Sequence, residues 1–80
     1  MTKVRIRKLG RERAFGLAHC DKGVIEIDEG RHKSQKALLD TFIHEGIHIS
    51  FPELSETKTR KAAKIIRDIL WSQGYRKVKL

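Results

Sequence analysis

Two histidines four residues apart, His44 and His48, bracket a glutamate in the stretch "FIHEGIHISFPELSE", residues 42–56. The run His44-Glu45-Gly46-Ile47-His48 fits the pattern H-E-x-x-H. On a helix, positions four apart stand one above the other, so both imidazoles can reach one zinc ion. Glu45 is rotated by about 100° from His44, close enough to hold a water on that ion without becoming a ligand. Zinc brings the pKa of such a water to about 7, and a neighbouring carboxylate can take its proton as it attacks a carbonyl. A pattern with three fixed positions also recurs by chance, and the bland alternative is a pair of helix histidines bonded to their neighbours. Three features favour the metal: the segment reads as helix on its own, it is otherwise apolar, and carboxylates follow it.

Catalytic zinc takes three protein ligands and keeps one position open. The downstream carboxylates are Glu53, Glu56 and Asp68. Asp68 falls about three turns into a second helix, too far along to return. Glu56 follows a turn containing Pro52, which can fold that helix back so that its first turn faces the histidines. Glu53, in the connection itself, is the rival; Glu56 is preferred. Tyr75, His19 and His32 could each donate a hydrogen bond to a developing oxyanion, although an ordinary surface or packing role is the simpler reading of each. Cys20 follows His19, but neighbours on a strand face opposite ways, which disfavours a Cys–His pair. Arg60, Lys64 and Arg67 could bind phosphates; a solvated helix face is the simpler reading.

The elements that position these groups follow from hydrophobic period. "KVRIR" alternates, with Val4 and Ile6 on one face and Lys3, Arg5 and Arg7 on the other, as in a half-buried strand. "RAFGLAHC" and "GVIEID" are two further strand runs, joined by the turn residues "DKG" at 21–23. A small, mostly antiparallel sheet is expected. Ser34 can cap a helix from Gln35 to about Ser50, apolar over much of its girth through Leu38, Leu39, Phe42, Ile43, Ile47 and Ile49. A narrow strip of it carries Ala37, Thr41, His44 and His48. Pro52 ends it, Ser55 caps a second helix from about Glu56 to Gln73, and Gly74 stops that one. Its expected buried stripe is Ala62, Ala63, Ile66, Ile69 and Leu70, with Trp71 closing the core. The tail "YRKVKL" alternates again and would return as an edge strand or lie on the surface.

"TFIHEGIHISFPELSE", the alanine-bearing helix after it and "ILWSQGYR" resemble small, largely phage- or prophage-encoded zinc metallopeptidases of the minimal zincin type. These are related in outline to the ImmA/IrrE-type metallopeptidases. The resemblance runs from "GVIEID" through "LWSQGYR". It implies an α+β fold, with a small sheet on the motif helix and a second helix bringing the glutamate ligand. It also implies one zinc held by His44, His48 and Glu56, with Glu45 as general base. Gly46 departs from the bulkier residue usual there, costs about 1 kcal/mol against alanine in a helix, and would permit close approach of another element.

Eighty residues make a single domain, 1–80, whose core is small: a chain of this size buries roughly 60% of its unfolded surface. A bound metal is one way to reinforce so small a scaffold. There is no long apolar run to cross a bilayer, no secretory signal and one cysteine, which together point to the cytoplasm. Eighteen basic against ten acidic residues give a net charge of +8, which attracts acidic partners, nucleic acid included. The expected function is a zinc metallopeptidase acting on a peptide or protein. The alternative is a zinc-stabilised, non-catalytic module that contacts nucleic acid or an acidic protein.

Overall fold

Three of the four positions in the strand Val24–Ile27 are apolar, and the strand is buried along its whole length, which suits the centre of a sheet. In the computed structural model, which describes residues 1–10 and 14–77, this strand (β3) lies between β1 (Lys3–Ile6) and β2 (Gly16–His19). A single 3₁₀ turn at Glu29–Arg31 leads to helix α1 (Gln35–Ser50), and α2 (Glu56–Ser72) follows. The fold is α+β. No helix among the described residues is long and apolar enough to cross a membrane.

The sheet is mixed rather than mostly antiparallel. β2 and β3 form the expected antiparallel hairpin, with Gly23 at a φ of +63° in its turn. β1, however, pairs with β3 in parallel, Lys3 opposite Val24 and Ile6 opposite Ile27. Alternation marks the faces of a strand but not its neighbours. With the most apolar strand in the middle, the chain leaving β1 must pass round the end of β3 to reach β2 on the far side. β2 then serves as the crossover that parallel pairing requires. The passage is pinned where it turns: Arg7 N–H donates to the Ile27 carbonyl at 3.0 Å, Asp28 N–H to the Phe15 carbonyl at 2.9 Å, and Leu9 N–H to Asp28 Oδ2 at 2.9 Å. Leu9 is fully buried there.

Ile25 and Ile27 point to α1 and pack on Leu38, with Phe42 and Ile49 beside them. α1 lies across β2 and β3 rather than β1. Val4 and Ile6 are therefore left about half exposed on an edge strand, not half buried as their alternation suggests. On the opposite face, buried Glu26 receives the Arg7 guanidinium through both oxygens and His19 Nε2 at 2.7 Å. Hydrogen bonds from Arg7, then from His19, hold this carboxyl at about 2.

Both helices start at the expected caps: Ser34 accepts from Ala37 N–H and Ser55 from Lys58 N–H. The buried face of α2 differs from expectation. Thr59 and Ala63 are fully buried, whereas Ile66 and Ile69 lie exposed beside Ile65. At 100° per residue, Glu56, Thr59, Ala63, Arg67 and Leu70 share an arc of about 80°, and that arc meets α1. Small residues at the crossing let the two helices close up, and the rotation that brings Glu56 inward carries the isoleucines out. Arg67 belongs to this contact, reaching Asp40 of α1 at 3.4 Å, so Arg60, Lys64 and Arg67 are not one solvated face. Trp71 is partly covered, with the Arg76 guanidinium 3.2 Å above its ring. In the tail, 75–77 form no strand, and 78–80 lie outside the described residues, as does Arg13 at the start of the second strand run.

Glu26 sets an acid limit on stability. Its folded pKa lies below the unfolded value of 4.5, so its contribution is present above pH 4.5 and is lost as pH falls toward about 2. Glu26→Gln is expected to lower the melting temperature at pH 7 and to flatten its fall between those pH values. Thermal melts followed by circular dichroism across that range check both.

Candidate metal centre

α1 presents His44 and His48 one turn apart, and the crossing of α2 sets Glu56 opposite both. The two Nε2 atoms lie 3.1 Å apart. Glu56 Oε1 is 2.7 Å from His44 Nε2, and Oε2 is 3.0 Å from His48 Nε2. The rings meet edge to face, with centroids 4.8 Å apart. His44 and His48 are partly buried, while the Glu56 side chain is half exposed, so the cluster opens to solvent on the α2 side. Arg60, one turn after Glu56, approaches Oε1 at 3.6 Å.

The donor set fits a zinc-type cation. The ligand atoms all lie within 4.8 Å of one another, and no second group of three such side chains converges among the described residues. Two Nε2 atoms facing each other and one carboxylate can be satisfied by a shared proton only in part. A cation would engage all three lone pairs at once, and two imidazoles with one carboxylate suit zinc.

Glu45 sits beside this cluster, turned into the protein, and is buried. Burial pushes its carboxyl up, against the opposing pull of His44 and His48. Its seat is provided by β2. A Cβ on Gly16 would lie 2.8 Å from Thr41 Cγ2, 3.0 Å from Ile27 Cδ1 and 3.1 Å from Glu45 Cγ. The close approach thus occurs at Gly16, not at Gly46, where a Cβ would meet open space. A cavity of about 260 Å³ opens here, bounded by Phe15, Thr41, His44, Glu45, Glu56 and Arg60.

The remaining sequence candidates fall elsewhere. Glu53 is exposed in the turn and outside the cluster. Asp68 bonds to Arg67 and faces Lys36, and these cations hold its carboxyl below the usual range. Tyr75 is exposed at another cavity, against Leu38, Leu39 and Phe42. His19 is committed to Glu26 on the far face of the sheet. His32 bonds to Thr41, one turn before Glu45. Cys20 donates its S–H to the His48 carbonyl at 3.3 Å, tying the end of β2 to the motif helix. Sequence reasoning missed Gly16 and Phe15. Thr41 already stood in the same strip as the histidines, but nothing local marks Gly16.

No protein-family model matches the chain, and no match to it was found among curated proteins or among solved structures. The geometry of the site carries the functional reading by itself.

Titration with zinc should give one ion per chain by elemental analysis and raise the melting temperature, by about 2.7 kcal/mol of added stability at a hundredfold excess over Kd. His44→Ala should abolish stoichiometric uptake, Glu56→Ala should weaken it more than about tenfold, and Glu53→Gln should leave it unchanged. Separately, Gly16→Ala should destabilise the chain by about 1–3 kcal/mol, read from urea melts. Thr41 cannot yield easily, because its Oγ1 is bonded to both the Ala37 carbonyl and His32.

Proposed function

We propose that the protein is a zinc-dependent metallopeptidase of the minimal zincin type, hydrolysing peptide bonds of a peptide or protein substrate. The observation that carries this reading is the meeting of His44, His48 and Glu56 from two helices, with buried Glu45 beside them. His44, His48 and Glu56 would hold the ion. When bound, zinc supplies a Lewis acid that polarises a carbonyl and acidifies water. Glu45 takes a proton and returns it to the departing amine, a role suited to a carboxyl whose proton affinity is raised by burial. Arg60 steadies Glu56 from the solvent side. Among the described residues β2 is an edge strand, and it lies immediately beside Glu45, so its outer edge can receive an extended peptide as an added strand.

A second reading has an observation of its own. Lys3 and Arg5 stand exposed on β1, away from the site, and would suit an acidic protein or nucleic acid held by a zinc-stabilised module without catalysis. Glu45 separates the two. Incubating zinc-loaded protein with a mixture of unstructured peptides, with mass spectrometry of the products, should show cleavage. Glu45→Gln should lower that rate at least about a hundredfold while zinc content stays at one per chain. Intact peptides, or equal rates in the two proteins, would remove the peptidase reading.

A further inference from the structure

The cavity over the candidate metal centre does not end at Thr41. A second cavity, of about 330 Å³, adjoins it and shares Phe15, Asp40 and Thr41 with it. The partition between the two is fixed. Thr41 Oγ1 donates to the Ala37 carbonyl at 3.2 Å, so it accepts from His32 Nε2 at 2.7 Å. Phe15 covers both cavities from above with a half-exposed ring, 5.2 Å from the His32 ring. An aromatic side chain left that open beside a cleft offers contact area to whatever enters.

The charges around the second cavity are uneven. Asp40 meets Arg67 across the helix crossing at 3.4 Å, and the same guanidinium also bonds Asp68 at 2.9 Å. Arg31 and Lys33 also line it, with no carboxylate partner among the described residues, and the Arg31 guanidinium lies 5.6 Å from the centre of the Phe15 ring. Phe15 and Ala37 give the lining its apolar part, beside His32 and Thr41. Apolar lining beside two cations that have no carboxylate partner among the described residues matches a short methylene chain that ends in a carboxylate.

We infer that this second cavity is a side-chain subsite continuous with the metal cleft, and that it selects a glutamate of a peptide substrate through Arg31 and Lys33. The assignment rests on the peptidase reading for the substrate class, but not on cleavage for its test. The glutamate's methylenes lie against Phe15 and Ala37 while its carboxylate meets the two cations. Arg31 and Lys33 are thus specificity residues and take no part in bond breaking.

The test measures binding by the zinc-loaded full chain to pools of blocked hexapeptides, each with one position fixed as Glu, Leu or Lys and the others mixed. At one position, the Glu pool should bind at least about tenfold tighter than the Lys pool, a difference of about 1.4 kcal/mol. Replacing both cations, Arg31→Ser with Lys33→Ser, should bring the two pools within about twofold. Lys22→Ser with Lys61→Ser removes the same charge from exposed sites elsewhere and should leave the preference intact. Equal binding of the Glu and Lys pools, including no measurable binding of either, overturns the subsite. So does an equal loss of preference in both double variants, which would mean attraction by net charge alone. A protein that keeps the Glu preference yet cuts no peptide removes the peptidase reading and leaves the subsite standing.

Discussion

The crossing of α1 and α2 is the contact on which the rest of the molecule depends. It is made through Thr59 and Ala63, side chains small enough to bring the helix axes close. Closeness is the requirement, because a glutamate side chain spans only a few ångströms and must reach two imidazoles on the facing helix. The same arc of α2 supplies the candidate ligand Glu56, the packing residues and Arg67, so one rotation about the helix axis sets all three. Isoleucines at 65, 66 and 69 would have bought more buried area had they faced inward, and the helix forgoes it.

The sheet serves α1 rather than forming a core of its own. β3 gives Ile25 and Ile27 to the helix, and β2 brings Gly16 against Thr41 and Glu45. On the face turned away from α1, Glu26 ties the end of β1 to β2 through Arg7 and His19, joining both edges across the central strand. The acidic residue buried in the middle of an apolar strand is therefore a clasp. Among the described residues it spans the one pairing that joins strands without a direct turn between them. Removing the partners from such a group would leave a desolvated carboxylate, which is why the arrangement is specific as well as stabilising.

Much of this was legible in the residues. Helix limits followed from Ser34, Ser55, Pro52 and Gly74, because caps and breakers act locally on the backbone. Glu56 was singled out over Glu53 by the same logic: a residue in the first turn of a returning helix points back, and one in the connection does not. Strand order was not legible. Alternating residues in "KVRIR" and "GVIEID" report which side chains share a face, and parallel and antiparallel partners satisfy that pattern equally. The facing side of α2 was misjudged for a related reason. Hydrophobicity ranked Ile66 and Ile69 above Thr59, whereas the close crossing selects for small volume. Gly16 carries no local signal, since its meaning comes from a helix residue that is distant in sequence.

Only the end of α1 and the connection 51–55 lie between His48 and Glu56, whereas β1 must find its place beside β3 across the whole of β2 and the hairpin. The two halves of the molecule therefore differ in contact order. The helical hairpin is closed by near neighbours, at little loop entropy, while the parallel pairing waits on a distant segment. A cation captured by the helical hairpin would clamp the half of the molecule whose contacts lie closest together in sequence.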